Sequence, residues 1–160
     1  MKKIDPLNED MYTNDVFQIL LDYEIVRSRR YPSPLTLLKI EMTPSALSVE
    51  ALSAAPGIFS SALNAHLRSV DIPSKTGNMF MLLLPNSDKH AAEAVCDRLL
   101  SVFRNKFETP SGDSVVFSLY IGATTHTDGT MATREGILQK ADEALKQSKQ
   151  KGANTYVSII

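Results

Sequence analysis

Hydrophobic residues recur along this chain with two periods, and the switch between them predicts its elements. Phe17, Leu20, Leu21 and Ile25 stand at helical spacing behind Thr13-Asn14-Asp15, which offers a helix start, and Arg29-Arg30 with Pro32 close the segment. The run 35–42 has strand length and mostly apolar character between Pro34 and Pro44, so it reads as a buried strand with Glu41 at its C-terminal end. Segment 43–57, rich in Ser, Ala and Pro, is the least legible and allows a short helix that Pro56-Gly57 breaks. A helical stripe of Phe59, Ala62, Leu63, His66, Leu67 and Val70 follows, ended by Asp71-Ile72-Pro73.

Segments 72–76 and 79–84 flank Gly77-Asn78, a two-residue loop composition that favours a type II′ or I′ hairpin turn. Ser87-Asp88 can cap a helix carrying Ala92, Val95, Leu99, Val102 and Phe103, and 108–113, with Pro110 and Gly112, reads as a turn. A strand at 115–123 leads through Asp128-Gly129 to a helix from about Thr133 to Lys151, with Leu138, Ala141, Leu145 and Ser148 inward. Gly152 stands where a helix C-terminal glycine is expected, and 155–159 is a last strand. Helices around a sheet with one central hairpin describe an α+β layer, for which the ferredoxin-like palm is the expected solution.

Composition narrows the classes. With 160 residues, 43% hydrophobic and 22% charged, the chain suits one globular domain, taken as residues 1–160 with no internal repeat or linker. Seventeen basic against eighteen acidic residues leave a net charge of −1, which excludes the broad basic footprint of a nucleic-acid or membrane binder. A lone cysteine, Cys96, and no apolar stretch behind Met1-Lys2-Lys3 fit a cytoplasmic protein. The longest apolar run, 79–84, is far short of the ~20 residues that span a bilayer.

In that frame several strings resemble the GGDEF (diguanylate cyclase) family, which condenses two GTP into cyclic di-GMP on a palm-like sheet. Ala141-Asp142-Glu143-Ala144-Leu145 with Lys149, Gly152 and Asn154 is similar to the family's ADxALYxAKxxGxN, and Ile121-Gly122 resembles its SIG strand. Asp5-Pro6-Leu7 resembles its opening DxLT, and Arg68-Ser69-Val70-Asp71 its RxxD. The resemblance implies a bacterial signalling domain of GGDEF-type fold.

The signature hairpin departs from that pattern. Where the family reads R-Y-G-G-[DE]-E-F, this chain has Lys75-Thr76-Gly77-Asn78-Met79-Phe80, one residue shorter and without either acid. Attack of a ribose hydroxyl on an α-phosphate needs divalent cations, and Mg²⁺ is held by hard carboxylate oxygens that an amide and a thioether do not replace. Glu41 matches the family's strand-end Asp and is only a weak metal candidate, one methylene longer. Segment 43–57 holds neither the Asn nor the Asp that read guanine, and Ala153 replaces the Arg after the glycine, although Lys149 matches the phosphate-contacting Lys. The expectation is a catalytically inactive, degenerate relative without metal or cofactor.

What the resemblance retains is the family's inhibitory site for its product. Its RxxD stands six residues from Asp to the first signature glycine, as Asp71 does to Gly77, and its further Arg, counted thirteen residues from Pro85, falls on Arg98. Composition alone expects about 0.4 RxxD strings in a chain of this length, so the register and Arg98 carry the assignment. An Arg fork suits guanine O6 and N7, a carboxylate accepts from guanine N1–H and N2–H, and guanidinium planes stack on bases. The bland alternative is an i, i+3 Arg/Asp ion pair at a helix end, worth about 0.3 kcal/mol.

His66, His90 and His126 have no metal-ligand spacing; His66 reads as a half-buried, satisfied histidine and Cys96 as a small core residue. The expected function is cyclic di-GMP binding through Arg68, Asp71 and Arg98, relayed to an unidentified signalling protein, with a possible ligand-induced homodimer. The alternatives are a nucleotide-independent interaction module, or a weakly active cyclase or GTP-binding domain using Glu41.

Overall fold

A computed structural model describes residues 11–127 and 132–160; Asp5-Pro6-Leu7 and the Asp128-Gly129 turn lie outside the described residues. The elements run α1 (Asn14–Arg30), β1 (Leu35–Ala46), α2 (Val49–Asn64), β2 (Ile72–Thr76), β3 (Met79–Pro85), α3 (Lys89–Val102), β4 (Phe107–Glu108), β5 (Ser114–His126), α4 (Arg134–Lys151) and β6 (Thr155–Ile159). Strands lie in the order β2-β3-β1-β5-β4, antiparallel, with β6 parallel beside β5. With α2 and α3 as the two crossovers, β1-α2-β2-β3-α3-β5 is the expected ferredoxin-like palm.

The period-2 pattern explains the layers. Along β1, Leu38, Ile40 and Met42 face the cluster built with α2 and α3, while Leu35 and Leu37 face the one built with α1 and α4. The first cluster centres on aromatic rings: Phe59 lies 4.2 Å from Phe103 and 4.7 Å from Phe80, with Phe117 edge-on at 5.3 Å. On the second face α4 rests directly on β5. A Cβ at Gly122 would stand 2.1 Å from the Leu145 nitrogen, so only glycine admits this approach.

Three expectations are corrected. α2 begins at Val49 and passes through Pro56 and Gly57, because Ser48 caps it and Ala51, Ala55, Phe59 and Leu63 are all fully buried at fourfold spacing. An interior proline costs about 3 kcal/mol, and burying Phe59 and Leu63 at about 1.5–3 kcal/mol each offsets it. The same helix stops at Asn64, so Val70 is exposed rather than on its stripe. β1 continues through Pro44 to Ala46: β3 pairs only as far as Glu41, and beyond it β1 is an edge where a missing N–H is tolerated. Glu41 therefore sits within β1, not at its end. β4, whose two residues straddle the start of the expected turn at Glu108, is too short to show alternation.

Candidate functional site

Arg68, Asp71 and Arg98 converge. Together with Leu84, Asn86, Ser87, Ala91, Ala94 and Val95 they line one open cleft of about 320 Å³ between the turn before β2, the end of β3 and the first turns of α3. Asp88 caps α3 through the Ala91 N–H at 2.8 Å, which orients the helix that carries Arg98. The lining charges are two guanidiniums and one carboxylate, an excess of one positive charge.

The RxxD string is a turn, not a helix end. The Asp71 N–H donates to the Arg68 carbonyl at 3.1 Å, and the Arg68 N–H donates to Asp71 Oδ2 at 2.8 Å. Arg68 Nε and Nη2 both donate to Asp71 Oδ1, at 3.1 and 2.8 Å. Nη2 also reaches the Pro85 carbonyl at 2.9 Å and Ser87 Oγ at 3.1 Å. Asp71 is 3% exposed, so its carboxylate orients Arg68 rather than standing open to a base edge as the sequence suggested. Among the described residues Arg68 Nη1 is left with its two hydrogens for the cleft, on a side chain that is half exposed. Arg98 is exposed and donates from Nη2 to the His66 carbonyl at 3.2 Å, so the bidentate fork lies on Arg98.

Ser87, Pro85 and the His66 carbonyl were not singled out from sequence. Ser87 is buried, and its carbonyl accepts from Thr36 Oγ1 at 2.8 Å, tying the cleft floor to the start of β1. No sequence signal separates Ser87 from a capping serine, a part that Asp88 plays instead.

The hairpin lies at the other end of the sheet. Gly77 has φ +61 while Asn78 is not left-handed, the pattern of a type II′ turn, and the Asn78 carbonyl accepts from the Met42 N–H at 3.0 Å. Met79 is half-buried and Phe80 is a core residue. Glu41, paired in register with Met79, accepts from Lys149 Nζ at 3.0 Å, and Lys39 bonds Asp142 beside it. Among the described residues no three His, Cys, Asp or Glu side chains gather to hold a metal ion. Glu41 is six strand positions from Leu35, which pairs with Pro85, so Lys149 and the cleft are roughly 20 Å apart and do not share one small ligand.

Asn154, with φ +62, accepts from the Leu119 N–H through Oδ1 at 3.0 Å and donates its own N–H to the Leu119 carbonyl, so the C-terminal motif locks β6 onto β5. His66 Nδ1 bonds the Ala62 carbonyl at 2.9 Å, satisfied and half-buried as expected. Burial, with Asp97 and Glu93 nearby, pushes the Cys96 thiol up to about 12, so it remains a protonated core group.

The family profile described as Diguanylate cyclase, GGDEF domain, matches residues 58–155. The chain belongs to the GGDEF domain family. Among solved structures, the GGDEF domain of TpbB (YfiN) from Pseudomonas aeruginosa superposes with a TM-score of 0.79 at 20% identity, covering 97% of this chain and 91% of that one. The coiled coil and GGDEF domain of DgcB from Caulobacter crescentus, in complex with c-di-GMP, gives 0.77 at 14% over 98% and 85%. The diguanylate cyclase SiaD from Pseudomonas aeruginosa, in complex with its activator SiaC, gives 0.73 at 22% over 98% and 60%. At these identities the likeness establishes the fold. No curated protein matches the sequence significantly. No helix among the described residues is long and apolar enough to cross a membrane.

Proposed function

We propose that this chain is a degenerate, catalytically inactive GGDEF domain that binds cyclic di-GMP in the Arg68/Asp71/Arg98 cleft and passes that state to a partner protein in the cytoplasm. The convergence of these three residues on one cleft with surplus positive charge carries the reading. Arg98 presents a fork for guanine O6 and N7, Arg68 offers Nη1 and its plane for stacking, and Asp71 holds Arg68 in place. Inactivity rests on the acid-free hairpin and on Glu41 being engaged by Lys149, which leaves no carboxylate surplus for Mg²⁺. That DgcB is solved with c-di-GMP, and SiaD with a protein activator, supports the choice of ligand and of partner type.

Titration calorimetry with cyclic di-GMP tests it. Wild type gives heat at micromolar ligand and Arg98→Ala does not; silence from wild type at high micromolar ligand sinks the proposal. Cyclic di-GMP formed on incubation with GTP and Mg²⁺ overturns the inactive assignment. A second reading, an interaction module indifferent to nucleotides, is favoured by one observation: the Arg68–Asp71 pair is already satisfied within its own turn. Its mark is a protein that retains its partner equally with and without ligand.

A further inference from the structure

α1 carries a second stripe, opposite the one it buries. Phe17, Leu21, Ile25 and Ser28 face the core, whereas Asp15, Ile19, Tyr23, Val26 and Arg30 all point outward. At 100° per residue those five fall within roughly 80° of arc. Their apolar members are open to solvent: Ile19 is 55%, Tyr23 68% and Val26 56% exposed. An amphipathic helix needs one apolar face for its own core; a second in the same helix marks a contact surface.

The order of the stripe selects its occupant. An acid stands at the N-terminal end, three apolar residues in the middle and a base at the C-terminal end. A copy of the same helix laid antiparallel, with its midpoint between residues 22 and 23, sets Asp15 against Arg30, Ile19 against Val26 and Tyr23 beside its symmetry mate. Each contact is then made twice, as a two-fold isologous interface requires, and both charge pairs are of opposite sign. A parallel pairing would oppose Asp15 to Asp15 and Arg30 to Arg30. The Arg30 guanidinium already lies 6.0 Å from the Tyr31 ring centroid, which restrains its side chain at the end of the stripe.

We infer that α1 is a self-association surface and that its partner is a second copy of this chain, packed antiparallel about Tyr23. This inference is independent of the nucleotide reading, since the stripe shares no residue with the cleft. α1 is about 25 Å long, and a single helix pair of that length falls among small interfaces, below about 1,200 Å², so the dimer is weak.

Sedimentation equilibrium of the whole chain without nucleotide, from about 10 µM to about 1 mM, tests it. The apparent mass of wild type rises toward that of a dimer; Tyr23→Glu, a surface change that leaves the fold intact by circular dichroism, stays monomeric. Asp15→Arg weakens association about tenfold through two like-charge contacts, and Asp15→Arg with Arg30→Asp recovers it. A constant monomer mass for wild type overturns the proposal. So does association that survives Tyr23→Glu, or a double variant no better than the single one.

Discussion

At the hairpin end of β1 Glu41 meets Lys149 and Lys39 meets Asp142, one base for each acid. At the opposite end Arg68 and Arg98 share a cleft with Asp71 alone. Both ends use the same side-chain chemistry on the same sheet, yet the first is neutral and closed by its own ion pairs while the second keeps a positive surplus and an open fork. A cation site needs unspent carboxylate, and a site for a phosphate-bearing purine needs unspent guanidinium. The two ends differ in which group is left over after pairing, and net charge over the whole chain does not register it.

The largest expected effect comes from α4, which packs on the sheet through Ile137, Ala141 and Leu145 but lends no residue to the cleft. In Gly122→Ala the new Cβ would lie 2.1 Å from the Leu145 nitrogen and 2.7 Å from the Ala141 carbonyl oxygen, backbone atoms that cannot rotate away. The helix must lift, at a cost of about 3 kcal/mol in urea unfolding. Because no α4 residue lines the cleft, the folded fraction should still bind cyclic di-GMP. Binding lost in proportion to more than the unfolded fraction would show that the two ends are coupled.

Single truncations sharpen the contrast. Arg68→Ala uncovers a carboxylate that is buried in its turn, so it costs about 2 kcal/mol, between the values for buried and exposed pairs because Arg68 itself is half exposed. It also weakens binding. Arg98→Ala removes a surface side chain held by one carbonyl, so stability moves by less than about 0.5 kcal/mol while affinity falls at least about tenfold. Glu41→Ala breaks a partly exposed pair, with under about 1 kcal/mol lost and binding unchanged. Chemical denaturation and calorimetry on the three proteins separate these outcomes, and equal behaviour of Arg98→Ala and Glu41→Ala would erase the distinction between the ends.

The helices that bury one clean stripe are legible in the sequence: α1, α3 and α4 begin at Thr13, Asp88 and Thr133 caps within the expected segments. The hairpin turn at Gly77-Asn78 and the convergence of Arg68, Asp71 and Arg98 were legible as well. The region around Pro44 and Pro56 was not, because whether a proline ends an element depends on neighbours far along the chain. β3 ends opposite Glu41, and Phe59 packs against Phe80 and Phe103. The division of labour within RxxD was hidden for a similar reason. Spacing places an Arg and an Asp together, but only the burial of Asp71 and the Pro85 carbonyl and Ser87 hydroxyl show which edge of Arg68 remains.

The last effect is a pH dependence at the cleft end. His126 closes β5 opposite Leu35, and its Nε2 is buried without a hydrogen-bond partner among the described residues. Burial first, and the positive charge of Lys140 second, hold its pKa below the ordinary 6.5. Between that lowered value and 6.5 the unfolded chain binds a proton that the folded chain refuses, so stability is full above 6.5, declines as pH falls below it and levels off once the folded imidazole also protonates. The slope for one proton is at most about 1.4 kcal/mol per pH unit. Unfolding midpoints measured from pH 7.5 to 5.5 should therefore fall in wild type and run flat in His126→Gln. A His126→Gln protein with the wild-type slope would assign the loss to another group.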